Sequence, residues 1–266
     1  MSILQNIIIK KYKEVVARQQ VLPIQELEAS RYFFRECHSL SKRIRQREGA
    51  GIIAEFKRAS PSKGVINDSA EPATVASGYE NGGASGMSVL TDESFFQGSG
   101  VDFVEAREAC NLPLLRKDFI LDEYQLLEAK AMGADVVLLI AAALTPFELQ
   151  RLGGIAHQLG MEVLLEVHNQ EELEKSLNPY VDLVGVNNRN LKSFEVSLET
   201  SLKLAELIPA NLVKVAESGI SSAENIRVLS RAGYKGFLIG EYFMKQQDPG
   251  NACRELIESV RSVPSE

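Results

Sequence analysis

The sequence predicts an α/β protein of the (β/α)8 TIM-barrel class, preceded by an N-terminal helical extension. Three observations lead there. Eight short apolar, β-branched runs recur along the chain, amphipathic helical segments alternate with them, and no nucleotide-binding glycine motif follows the first run. Alternation of strand and helix implies a parallel sheet. Eight such units within about 215 residues close a barrel more readily than they build an open doubly wound sheet. GxGxxG and GxxxxGK[ST] are both absent after the first strand, which weakens the Rossmann and P-loop alternatives.

The first 48 residues precede the barrel. YKEVVARQQVLPIQELEASRYFF reads as one or two helices covering the barrel's open bottom or edge. Strands follow at GIIAEFK (51–57), MSVL (87–90), PLLRK (113–117), DVVLLI (135–140), EVLLEV (162–167), DLVGVN (182–187), LVKVAE (212–217) and GFLIG (236–240). Their starts lie roughly 20 to 35 residues apart, the length of a strand, a helix and two short loops. Between them, EYQLLEAKAMG puts Leu126, Ala129 and Met132 on one face and closes on Gly133 as a C-cap. TPFELQRLGGIAHQLG opens on Thr145 as N-cap with Pro146 at the first helical position, and SSAENIRVLSRAG opens on a serine cap and ends on glycine.

At 266 residues, the chain fits one large barrel domain spanning 1–266, because no linker, charge block or low-complexity tract divides it. A formal net charge of −7 argues against nonspecific nucleic-acid binding, though a local basic pocket is compatible with it. Cys37, Cys110 and Cys253 are far apart, odd in number and without CxxC spacing, so reduced thiols in a cytoplasmic protein are expected rather than a disulfide or zinc framework. The N-terminus is too polar for a signal peptide. VVLLIAAAL (136–144), the longest apolar run, is far short of a membrane span. No His, Asp and Glu cluster has metal-ligand spacing.

Function is expected at the C-terminal ends of the strands, where such barrels build their sites. In IIAEFKRASPSKG, Glu55 and Lys57 interrupt an apolar run and share one face, since residues two apart in a strand point the same way. Two charges on a buried face are costly unless paired or functional. Other strand ends carry Lys117, Glu166, Asn187 with Arg189 two residues on, Glu217–Ser218–Gly219, and Gly240–Glu241. Leu115, Leu164 and Val215 fall on the faces of Lys117, Glu166 and Glu217, which predicts apolar layers beneath a charged mouth. A single strand-end charge is often merely solvated; six converging on one mouth point to a catalytic or binding site.

RASPSKGVINDSAEPA (58–73) is long for a βα loop and reads as a lid or binding loop, with a flexible surface loop as the bland alternative. ESGI and IGE sit where barrels commonly hold phosphate on backbone N–H groups. Lys57, Lys117 and Arg189 make the mouth basic and suited to a small anion. His38 and His157 read as surface or packing residues. His168 lies just past the fifth strand and ranks behind Glu166 as a base.

IIAEFKRASPSKG, PLLRKDFILDEYQ, VLLEVH, GVNNRNL, AESGI and FLIGE, in that order from about residue 5 to 260, resemble the indole-3-glycerol-phosphate synthases of tryptophan biosynthesis. The pair AEFKRASPSKG and LRKDFI carries the most specificity. The resemblance implies a barrel with an N-terminal extension, no cofactor, a monomer, and a phosphorylated small-molecule substrate, 1-(2-carboxyphenylamino)-1-deoxyribulose 5-phosphate. That substrate is closed to an indole with loss of CO2 and water. Lys117 is then the general acid toward the carbonyl oxygen, and Glu166 the second acid–base group, serving dehydration. Lys57 pairs with the anthranilate carboxylate or joins proton transfer. Glu55, Asn187 and Glu217 orient the lysines and hydroxyls. Ser218, Gly219, Gly240 and Glu241 hold phosphate, Ser60 and Arg189 contact substrate, and Phe96 lines the anthranilate ring. Burial or a neighbouring cation is expected to lower the lysine acid's pKa toward neutrality.

Two stretches depart from the family pattern. Tyr242–Phe243 brings bulk to the phosphate rim, and GSGVDFVEAR lacks the usual acidic helix start. Because the sequence ends after its eighth unit, fusion to phosphoribosylanthranilate isomerase is not expected. Competing readings are a phosphosugar isomerase or Schiff-base aldolase using Lys117, and a decayed barrel that only binds phosphometabolites or a partner. Retention of Lys57, Lys117 and Glu166 together weighs against decay.

Overall fold

A computed structural model describes residues 3–191 and 193–262; the outermost positions of the expected 1–266 span lie outside them. Eight parallel strands, β1 (Gly51–Phe56), β2 (Gly86–Leu90), β3 (Leu114–Lys117), β4 (Val136–Ile140), β5 (Glu162–Val167), β6 (Leu183–Asn187), β7 (Val213–Glu217) and β8 (Gly236–Ile239), close into a barrel in sequence order. Closure comes from β8 pairing back on β1, with Gly51 opposite Gly236 and Ala54 opposite Ile239. Each strand lies within two residues of its expected bounds.

Helices cover the barrel between strands, and their ends follow the expected chemistry. Thr145 caps Pro146–Gln158 and exchanges hydrogen bonds with Glu148, satisfying two otherwise free N–H groups. Gly133 closes Glu123–Met132 in the left-handed conformation, and Ser222 caps Ala223–Arg231. Among the described residues no helix is long and apolar enough to cross a membrane, and all three cysteines are free.

Period-two alternation divides the apolar residues into two layers. Ile53, Leu115, Leu138, Leu164, Val215 and Leu238 fill the barrel interior, while Val89, Leu139, Leu165, Val184 and Phe237 face the helices. Truncating one interior residue, such as Leu164→Ala, costs about 2–5 kcal/mol through lost burial and the cavity left behind.

The extension contains helices Ile3–Val21, Ile24–Glu28 and Leu40–Gln46. The third, which lies beyond the stretch read as helical from the sequence, plugs the barrel bottom. Leu40 and Ile44 reach inside, against Gly86 and Gly51, and the Glu162 carboxylate at the start of β5 accepts hydrogen bonds from Ser41 N (2.9 Å) and Ser41 Oγ (2.7 Å). The first helix does more than cover an edge. Ile7, Lys11 and Val15 form its buried stripe at four-residue spacing, and Ile3, Leu4 and Ile7 extend to the rim of the cavity at the opposite end.

Candidate active site

A cavity of about 570 Å³ opens at the C-terminal ends of the strands, a volume suited to a small-molecule ligand. Every expected site residue lines it: Glu55, Lys57, Ser60, Phe96, Lys117, Glu166, Asn187, Arg189, Glu217, Ser218, Gly219, Gly240 and Glu241. Strand parity aims Glu55, Lys117, Glu166, Asn187 and Glu217 inward above the apolar layers, so the charged mouth follows from the alternation in the sequence.

Lys117 occupies the centre. Its Nζ lies 3.0 Å from Glu166 Oε2 and 3.1 Å from Glu217 Oε2. Burial alone would lower the Lys117 pKa, but the Glu166, Glu217 and Glu55 carboxylates outweigh it and raise the pKa above the ordinary lysine value. This overturns the expectation of a lowered lysine pKa, because the neighbours are anions and not cations. Lys117 rests as an ammonium ion.

The two carboxylates on Lys117 differ. Burial disfavours both as anions. At Glu166 it is outweighed by Lys117, His168 and a 3.2 Å hydrogen bond from Asn187 Nδ2, which hold the carboxyl at about 2. Glu217 sits deeper, its Oε1 has no hydrogen-bond partner, and burial with the nearby Glu166 charge lifts it to about 7. Paired groups whose surroundings drive their pKa values apart are the mark of divided acid and base duties. Glycine makes room for this crowding: a Cβ on Gly185 would collide with Glu217, and one on Gly240 with Glu55.

Asn187 joins floor to rim. Its Oδ1 accepts from Arg189 N (3.0 Å) and Ser218 Oγ (2.9 Å). Lys57, one residue past β1, pairs with Glu55 at 2.6 Å, which answers why opposite charges share that face. At the rim the Glu241 carboxylate gathers three cations, Lys245 at 2.6 Å and Lys63 and Arg189 at 3.7 Å each. Phe96 packs against Phe119 with ring centroids 6.2 Å apart. Tyr242 lines the cavity, but Phe243 turns into the core against Tyr79, so only half of that bulky pair meets the rim.

The long β1 loop is neither a plain lid nor a free coil. Residues Ala59–Ser60 and Gly64–Val65 form a small antiparallel hairpin that the sequence reading did not anticipate. Its base is held by Ile66 N donating to Arg58 O (2.7 Å), by the Arg58–Asp102 ion pair, and by Asn67 Nδ2 donating to Met244 O (3.1 Å). His38 and His157 are exposed. His168 lies behind Glu166, its Nε2 3.4 Å from Glu166 Oε1, outside the cavity lining.

Sequence reasoning missed Lys11 and the apolar rim of Ile3, Leu4 and Ile7. Lys11 Nζ, nearly inaccessible, lies 2.7 Å from Asp92 and 2.9 Å from Asp118, joining the first helix to the loops after β2 and β3. The available signal was the spacing of Ile7, Lys11 and Val15, which puts a lysine on a buried face.

A closed parallel barrel with a lysine–carboxylate centre at its C-terminal mouth places the chain in the (β/α)8-barrel class, with its candidate site at the strand ends. The family model "Indole-3-glycerol phosphate synthase" matches residues 4–256. Proteins of that name from Chromobacterium violaceum and Bacteroides thetaiotaomicron are each 46% identical, over 96% and 98% of this chain and 97% and 99% of their own lengths. The chain belongs to the indole-3-glycerol phosphate synthase family. Among solved structures, thiamine phosphate pyrophosphorylase from Pyrococcus furiosus is 18% identical with a TM-score of 0.61, over 84% of this chain and 98% of that one. KGPDC from Streptococcus mutans is 12% identical with a TM-score of 0.62, over 80% and 98%. Those two likenesses bear on the barrel fold alone.

Proposed function

We propose that this chain, a carboxy-lyase of its family, closes 1-(2-carboxyphenylamino)-1-deoxyribulose 5-phosphate to indole-3-glycerol phosphate, releasing CO2 and water in tryptophan biosynthesis. The observation that carries the reading is the Lys117 ammonium held between Glu166 and Glu217 on the floor of a cavity rimmed by Lys57, Lys63, Arg189 and Lys245.

In this reading Lys117 protonates the ketone oxygen as the aryl carbon attacks. Two carboxylates keep the acid fully charged and aimed; as it gives up its proton, Glu217 is the neighbour closest to taking one up at neutral pH. Glu166, held anionic, serves as the base of dehydration. Lys57 pairs with the anthranilate carboxylate, exchanging Glu55 for substrate, while Glu55, Asn187 and Glu217 fix the lysines and hydroxyls. Phe96 lines the aromatic ring, and Ser60 and Arg189 contact substrate. Backbone N–H groups of Ser218, Gly219, Gly240 and Glu241 receive the phosphate, whose charge competes with Glu241 for the rim cations. Only protons are exchanged with the protein, so the scheme uses no cofactor. The chain acts as a single barrel domain over 1–266 with residues 1–48 as its extension, as a cytoplasmic monomer.

An imine mechanism through Lys117 has less support, since an ammonium ion paired with two carboxylates is a poor nucleophile. Mixing the protein with the carboxyphenylamino-deoxyribulose phosphate should raise indole fluorescence, and Lys117→Ala should reduce the rate by about 10²–10⁴. Binding without a fluorescence rise in the wild type would overturn the function; a rise surviving the substitution would overturn the role of Lys117.

A further inference from the structure

The proposed reaction has a proton balance that the cavity residues do not complete by themselves. Ring closure takes up two protons, one on the ketone oxygen as the carbon–carbon bond forms and one on the resulting hydroxyl as it leaves as water. One proton returns, from the carbon beside the nitrogen, as the double bond of the indole forms. The carboxylate departs as CO2, its bonding electrons restoring the aromatic ring, so no proton accompanies that step. One proton per turnover must therefore enter from solvent. Its destination, the Lys117–Glu166 pair, lies at the bottom of a cavity filled by substrate.

Behind Glu166 runs a file of titratable groups that leads outward. His168 Nε2 is 3.4 Å from Glu166 Oε1 and has no hydrogen-bond partner, although it is buried. The opposite ring nitrogen, Nδ1, is 3.1 Å from Glu172 Oε2, on helix Gln170–Ser176. The side-chain exposures of Glu166, His168 and Glu172 are 5%, 10% and 23%, so the file runs from the buried centre to the surface. Glu172 is itself fixed: His168 N donates to its Oε2 (2.8 Å) and Asn169 Nδ2 to its Oε1 (2.9 Å). We propose that Glu172, His168 and Glu166 form a proton relay that returns one proton per turnover from solvent to the Lys117 centre by a route separate from the substrate mouth.

The imidazole is the right group for this position. One nitrogen receives a proton on the Glu172 side while the other releases one toward Glu166, so the ring passes a proton without rotating. Burial opposes charge on His168, but the hydrogen bond to Glu172 and the Glu166, Glu172 and Glu217 carboxylates prevail and raise its pKa. The groups facing the file are Glu166 on β5, Asn187 on β6, Glu217 on β7, Lys117 on β3, and Asn169 and Glu172 at the following helix. In the resting site Lys117 and His168 both neutralise Glu166, so transfer waits until Lys117 has lost its proton. The 3.4 Å gap then closes as Glu166 draws its remaining cation.

The relay rests on the proposed ring closure, and the test separates the two. His168→Gln and the nearer-surface Glu172→Gln are assayed by indole fluorescence in weak buffer, beside a pH indicator that counts proton uptake. Wild type should take up one proton per product in the initial phase, before the released CO2 hydrates and returns a proton to solution. Both variants should lose about tenfold or more in kcat with KM unchanged. Raising imidazole buffer at constant pH and ionic strength should restore His168→Gln, a response that mere repacking would not give. Wild-type kcat in both variants across the neutral range in weak buffer would overturn the relay and leave ring closure intact. A reduced kcat that buffer does not restore would also overturn it, leaving His168 as packing for Glu166. Absence of product from the wild type would overturn the proposed function and the relay with it.

Discussion

Glu217 lies over Gly185, its carboxylate filling the space that a Cβ there would need. The two face each other from neighbouring strands, and the same glycine stands beside Glu166 in the ladder. Any side chain at 185 must push Glu217 off Lys117 or into Leu164. Gly185→Ala should therefore keep a folded barrel, judged by circular dichroism, while kcat falls by about 10² or more. Retention of full activity would mean that Glu217 does not need its present place.

The opposed shifts at Glu166 and Glu217 give stability effects of opposite sign. Burial and the Glu166 charge raise the Glu217 carboxyl to about 7, above the ordinary carboxylate range, so the folded state binds an extra proton between the two and stability falls as pH rises through that interval. Glu217→Gln removes that loss. Its stability relative to wild type should be more favourable at about pH 8 than at about pH 5 in urea unfolding. Glu166 is depressed to about 2, so its contribution is fully present above its unfolded pKa and is lost as pH falls toward the folded value. Glu166→Gln should destabilise at about pH 7 and progressively less toward about pH 3.

Glu55, Lys117, Glu166 and Glu217 were legible because a strand's period of two fixes which residues point inward, and because polar residues at six strand ends converge on one mouth, where any one alone would read as solvated. Strand bounds were legible for the same reason. What parity could not show was the environment. Whether Lys117 faced cations or anions depends on contacts between β3, β5 and β7, from residues 49 and 100 positions away, and the expected sign of its shift was wrong. The hairpin that holds Ser60 escaped because its ladder is two residues long, too short for any periodic signal. Lys11 escaped because a lysine in a polar helix looks solvated until its carboxylate partners, supplied by two distant loops, are seen.

Glu241 acts as an internal anion for the cations that the substrate phosphate would need. Lys245, Lys63 and Arg189 all lie within 4 Å of its carboxylate. Its backbone N–H, not its side chain, is the proposed phosphate contact, so Glu241→Gln frees the cations and keeps the donor. KM should fall a few-fold, with the gain shrinking at high salt as screening weakens the rim. An unchanged or raised KM would mean that the carboxylate positions these cations rather than competing for them.

Lys11 binds the first helix to the loop that begins at the end of β3. Asp118, next to Lys117, keeps Arg116 (3.1 Å) and Thr91 (2.7 Å) if Lys11 is removed, but Asp92 Oδ2 has no other partner. Lys11→Met should thus strand one buried charge, costing about 3–5 kcal/mol. Adding Asp92→Asn should recover part of that loss, because the unpaired anion disappears. The kcat loss in Lys11→Met should be smaller than that of Lys117→Ala, since Lys117 keeps both its carboxylates. Chemical denaturation of the two variants checks the first point and steady-state turnover the second. If Lys11→Met proves as stable as wild type, water or rearrangement reaches Asp92, and the first helix is held by its apolar stripe alone.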